Sequence, residues 1–186
     1  RATVLNRLDP PAQPRFFTEK EQHTATALFD QLLYQRQEPR IPVMRMVDAR
    51  LADHKTDGWH YETMPTDDQA WRDSLAGLDG DSAERYGHPF AECSWDEQKE
   101  LLQSIQDLDS EKWHGMTASQ VWSLWTRYGC TAFYAHPLAW NEIGFDGPAY
   151  PRGYKNIGVD RLEGFEVRDA RPGDDPLRTH DREAQR

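Results

Sequence analysis

The sequence lacks most of the signatures by which a chain of this size announces its own chemistry. It contains no G-x-G and no Walker-type glycine loop, which removes the dinucleotide fingerprint and the phosphate cradle. There is no G-x-S-x-G elbow and no H-E-x-x-H helix, so the hydrolase nucleophile and the zinc-protease site are absent as motifs. Cysteine is scarce: Cys93 and Cys130 stand far apart, which excludes a C-x-x-C-H haem site and an iron–sulfur cluster held by this chain alone. No apolar run approaches the roughly 18 residues of a membrane-spanning helix. Positive charge is also in deficit. A net charge of −10 is repelled by phosphate backbones and anionic lipid, so nucleic acid and membrane surfaces are poor partners.

Apolar residues are few as well. At 37% hydrophobic and a mean hydropathy of −0.91, the chain is lean for a free-standing globule. Seven tryptophans nonetheless argue against disorder. With 186 residues the chain is long enough for one domain with a real core, much of it aromatic. It begins at Arg1, and a cleaved export signal upstream and a trimmed N-terminus are both open readings.

What is present is helical patterning. A Pro-rich N-terminal arm (1–16) gives way to Thr18–Glu21, which reads as a capping box. Ala25, Leu28, Phe29, Leu32 and Leu33 follow on one helix face. Pro39 and Pro42 close that helix and start another with Val43, Met46, Val47 and Leu51 inward. Thr66–Gln69 repeats the box pattern ahead of Ala70, Trp71, Leu75 and Leu78. The stretch GLDGDSAERYGHPF then carries too many glycines for a clean helix, with Phe90 expected to plug the core. Ser94–Glu97 leads Leu101, Leu102, Ile105 and Leu108. Thr117–Gln120 leads Val121, Leu124, Trp125 and Tyr128, with Trp122 and Trp125 read as core. The expected fold is all-α: about five helices in an antiparallel array over 17–135, with no sustained strand alternation. Asp79-Gly80-Asp81 opens like a calcium loop, but Ala83, Glu84 and Phe90 stand where a ligand, the glycine and the bidentate glutamate belong. No metal site follows from it.

After the helices comes an aromatic coil (136–165) punctuated by proline and glycine. From Tyr128 to Tyr154, both included, the chain carries seven aromatics. A loop this apolar needs a surface to lie on. Trp140, Phe145, Tyr150 and Tyr154, with Arg152 among them, have the composition of an interface hot spot. The polar tail (166–186) has the composition of a disordered segment and is expected to be held by a partner. His136 sits at the break between helix and coil with Asn141 and Glu142 behind it. It reads as a cap on the last helical carbonyls; an acid/base role with Asn141 and Glu142 is the rival. An antiparallel hairpin of the last two long helices would bring Cys93 and Cys130 to one level, where a disulfide is possible. Free thiols and a bond from Cys130 to a partner are the alternatives.

The order of FFTEKE, the Phe90 plug, the helix with Gln98 and Leu101-Leu102, and then WTRYGCTAFYAHPLAWNEIGFDGPAYPRGY resembles the gluconate 2-dehydrogenase subunit 3 family. The likeness spans roughly residues 16–160 and is most specific from Tyr134 to Tyr154. It implies a small accessory subunit with no catalytic group and no cofactor of its own. Its implied partner is a large FAD-carrying subunit of the glucose–methanol–choline (GMC) class that does the sugar or polyol oxidation; a c-type cytochrome is a further possible partner. It also implies a periplasmic complex exported as a unit. A carbohydrate-binding helical domain and a small sugar-acting enzyme using His136 and Glu142 are the alternative readings.

Overall fold

The computed structural model describes residues 13–144 of the chain, the side chain of Asn141 excepted. The described residues divide into two units at the Phe133–Tyr134 boundary. Among them the architecture is α-helical, with six helices and one two-stranded ladder. The helices are α1 (Glu19–Leu32), α2 (Val43–Ala52), α3 (Asp67–Tyr86), α4 (Trp95–Asp107), α5 (Ala118–Tyr134) and the short α6 (Pro137–Glu142). A 3-10 turn spans Phe90–Glu92, and the ladder pairs β1 (Lys112–Trp113) with β2 (Met116–Thr117). The all-α expectation is met, and the arm 1–12, the coil beyond Gly144 and the tail lie outside the described residues.

Two of the four capping signals form as boxes. Thr18 and Glu21 cap α1 reciprocally, and Ser94 and Glu97 do the same for α4. The other two differ. Thr66 makes no side-chain cap on α3, because its hydroxyl bonds to Asp68 while Gln69 turns to Asp73 at 2.8 Å. At α5 the first amides are satisfied by backbone: Ala118 N–H donates to the Glu111 carbonyl and Ser119 N–H to that of Asp109. Thr117 sits in β2, and Gln120 accepts from Thr63.

The glycine-rich stretch is the main correction. α3 runs unbroken through Gly77 and Gly80 and stops only at Gly87. The reason lies elsewhere in the chain. The segment KWHGMT is a two-residue hairpin in which His114 (φ 46°) and Gly115 (φ 81°) both take left-handed backbone, the geometry that suits a tight right-twisted hairpin. The hairpin delivers Trp113 and His114 onto the bare backbone of Gly77. A Cβ there would lie 2.9 Å from Trp113 Cη2 and 2.8 Å from His114 Cδ2. Helix propensity lost at Gly77 is exchanged for a close aromatic contact.

The core of the first unit is aromatic. Trp71 takes edge contacts from Phe17 and Tyr128 and a tilted one from Phe29, with centroids at 5.9, 5.8 and 5.5 Å. Trp125 lies edge-on to Trp113 at 5.6 Å and donates to Ser74 Oγ at 3.0 Å. Trp125 is fully buried, whereas Trp122 is only half-buried. Phe90 is the buried plug the sequence suggests. Buried carboxylates tie the helices together. Asp48 on α2 accepts from the backbone N–H groups of Arg15, Phe16 and Phe17, and Asp67 accepts from the Tyr128 hydroxyl at 2.6 Å. α1 is the common neighbour, packing on α2, α3, α4 and the 3-10 turn.

Candidate partner interface

The sequence places its interface after α5, and of the five residues it names only Trp140 lies among those described. Phe145, Tyr150, Arg152 and Tyr154 lie outside them. Trp140, on α6, is 8% exposed and donates its indole N–H to the Tyr134 carbonyl at 2.7 Å. Tyr134 and Ile143 are exposed at 51% and 56%. The segment thus shows apolar side chains on its outside even where Trp140 is turned inward.

His136 caps a helix, but not the one expected. Its Nδ1 accepts the Leu138 N–H at 3.2 Å, at the start of α6, so the ring serves the following helix as an acceptor. The ring is buried and burial pushes its pKa below the ordinary histidine value. A neutral imidazole is the form that can accept at Nδ1. Glu142, its expected acid/base companion, is exposed.

Two features that the sequence reading passed over lie on the first unit. In the segment that joins α2 to α3, Trp59 and Tyr61 are exposed at 50% and 39%, and their rings meet edge-on at 5.3 Å. Arg127 of α5 stacks on Trp59 at 4.7 Å and reaches Asp57 Oδ2 at 2.7 Å, while Arg50 also pairs with Asp57. Loop aromatics are normally free to swing; here the guanidinium and its carboxylate fix them in place. The signal in the sequence was WHY amid polar residues, which reads as a turn because nothing local reveals a partner some 68 positions on, at Arg127.

The second feature is a groove of about 870 Å³ between α1 and the start of α4. Trp95 forms one wall, with the Arg36 guanidinium over its face at 5.1 Å and Tyr34, 70% exposed, against its edge. Arg40 bridges Asp30 at 2.7 Å and Glu38 at 2.8 Å. Burial raises the Asp30 carboxyl against the lowering pull of Arg40.

The cysteines are not bridged. Cys93 is a buried free thiol and Cys130 an exposed one. The bridge assumed that the helix following Cys93 and the helix carrying Cys130 pair as a hairpin. Instead α4 packs on α1 and α3, and the chain between α4 and α5 is occupied by the β1–β2 ladder. No helix among the described residues is long and apolar enough to cross a membrane.

A family model described as Gluconate 2-dehydrogenase subunit 3 matches residues 19–147, from the first residue of α1 to just past α6. No curated protein and no solved structure matches the chain.

Proposed function

The chain belongs to the gluconate 2-dehydrogenase subunit 3 family, and from that premise we propose that it is the non-catalytic small subunit of a flavin-dependent sugar or polyol dehydrogenase. In this reading it binds a large FAD-carrying subunit of the GMC class, stabilises it, and supports its folding and its export to the periplasm. The flavin and the hydride chemistry belong to that partner, and a c-type cytochrome is a further candidate member of the complex. The observation that supports the reading best is the Trp59–Tyr61 pair, solvent-exposed yet immobilised by Arg127 and Asp57. Rigid aromatic side chains backed by arginine lose little conformational entropy on docking, which is why such residues anchor interfaces.

The rival readings fit the geometry less well. A sugar-binding domain stacks a pyranose on an open aromatic face, and Trp140, the one aromatic of the coil among the described residues, is buried. An acid/base enzyme built on His136 needs a ring that substrate can reach, and this ring is buried, with Nδ1 already accepting the Leu138 N–H. Co-expression with the adjacent large reading frame and affinity purification through this chain test the proposal. A yellow complex whose flavin and dehydrogenase activity reside in the larger chain is expected. A colourless monomer that oxidises sugar by itself would overturn it, and so would a colourless, inactive monomer that binds sugar.

A further inference from the structure

The link between α3 and α4 is short, rigid and chemically loaded. His88 follows the glycine that ends α3, Cys93 closes the 3-10 turn, and Glu97 is the third residue of α4. The backbone between them is held by buried polar side chains. Asp79 Oδ1 accepts the Phe90 N–H at 3.2 Å, and Gln98 Nε2 donates to the carbonyls of Phe90 and Cys93 at 3.0 and 3.2 Å. Phe90 itself is sunk in the core. The three side chains therefore stand on a fixed frame.

On that frame an imidazole nitrogen, a sulfur and a carboxylate oxygen converge, all within 4.8 Å of one another. Cys93 Sγ lies 3.6 Å from His88 Nδ1. A tetrahedral zinc ion with Zn–N of about 2.0–2.1 Å and Zn–S of about 2.3 Å sets its N···S edge at roughly 3.5 Å, so this pair already has the ligand spacing. The α4 cap occupies only one oxygen of Glu97: Oε2 takes the Ser94 N–H and hydroxyl, both at 2.7 Å, and Oε1 is left to coordinate. Cys93 is buried while His88 and Glu97 are half-buried, which leaves the side away from sulfur open to solvent.

We infer that His88, Cys93 and Glu97 bind one divalent cation of the zinc class, through the imidazole Nδ1, the Cys93 sulfur and one Glu97 oxygen, with water in a fourth position. On binding, the Cys93 thiol gives its proton to solvent as the sulfur–metal bond forms, and no electron is transferred. Mixed nitrogen, sulfur and oxygen donors suit zinc and cobalt and disfavour magnesium and calcium, which take oxygen ligands. The ion would clamp the end of α3 to the start of α4.

Cobalt(II) is the probe, because a thiolate–cobalt bond gives a charge-transfer absorption that nitrogen and oxygen ligands do not. The full chain, alone or with its co-purified partner, is stripped with chelator, titrated with Co²⁺ and read by difference spectra. The expected result is a thiolate charge-transfer band that saturates at one equivalent and is displaced by Zn²⁺. Cys93→Ser should abolish it, Cys130→Ser should retain it, and His88→Gln should weaken cobalt binding by at least about tenfold. Glu97→Gln keeps the capping box, since glutamine serves at that position, and should also weaken binding without loss of helicity. The absence of a charge-transfer band in the unaltered chain would overturn the site. So would a band that survives Cys93→Ser, or an affinity unchanged in both His88→Gln and Glu97→Gln, the variants to rely on where Cys93→Ser does not fold.

Discussion

Trp113 lies against Gly77 so closely that a Cβ on that glycine would come within 2.9 Å of the indole. The indole has little room to retreat, since its N–H donates to Asp81 at 2.7 Å and its ring abuts Trp125. Gly80, one turn on, has nothing within 4 Å of its Cβ position. The same substitution should therefore act with opposite sign at the two sites. Gly80→Ala should stabilise by about 1 kcal/mol through helix propensity. Gly77→Ala should lose about 1–2 kcal/mol net, because overpacking exceeds that gain. Urea unfolding of both variants measures the difference, and equal shifts would refute the contact.

The Tyr128 hydroxyl bridges α5 to the first turn of α3 through Asp67. Burial first, and then the bond to Asp67, push the Tyr128 pKa up. Tyr128→Phe should cost about 1.5–3 kcal/mol, the range for a hydrogen bond to a charged acceptor. In a double-mutant cycle with Asp67→Ala most of that cost should disappear. Additive losses would mean that the two groups do not work as a pair.

Asp48 is the tether of the segment leading into α1. Its carboxylate accepts three consecutive backbone N–H groups, and Phe17 is buried beside Trp71 as a result. Asp48→Ala orphans all three donors and should destabilise by about 2 kcal/mol or more. Limited trypsin digestion should then cut after Arg15 much faster than in the unaltered chain, whereas unchanged protection at Arg15 would show that the arm is held by other contacts.

His136 gives a pH signature. Its folded pKa lies below the ordinary value, so the folded state binds a proton less readily than the unfolded one. Its contribution to stability is fully present above about pH 6.5 and is lost as pH falls from there toward the folded pKa. His136→Ala should remove about 1 kcal/mol at pH 8 and flatten the slope below pH 6.5. NMR titration of the ring checks the direction: an apparent pKa at or above the ordinary value would contradict the acceptor role.

At the proposed interface, Trp59→Ala or Tyr61→Ala should weaken association with the large subunit by about 2 kcal/mol or more. The fold of the isolated chain should change little, since both rings are substantially exposed. Glu100→Ala, on the outer face of α4, should alter affinity by less than about 0.5 kcal/mol and serves as the control. Aromatic variants that melt the chain while leaving affinity intact would move these side chains from interface to core.

The helices were legible because their signals are local. A hydroxyl three residues before a carboxylate can close a capping box without help from the rest of the chain, as at Thr18–Glu21 and Ser94–Glu97. The inward faces of α1 and α4 follow from a 3.6-residue period, and the family resemblance follows from residue order alone. What the sequence could not decide were the contacts between distant positions. The glycines of α3 look like helix breakers until Trp113 arrives from 36 positions later to occupy the space that Gly77 leaves bare. Thr66 has the letters of a cap, but Asp68 and Asp73 compete for the groups that would have formed it. His136 follows one helix and precedes another, and only the backbone geometry determines that its lone pair meets the Leu138 N–H. Cys93 and Cys130 could be imagined side by side in a hairpin, until the packing of α4 on α1 and α3 turned Cys93 toward His88 instead. Local hydrogen bonding and periodicity set the elements; the excluded volume and unpaired polar groups of the assembled core decided which residues meet.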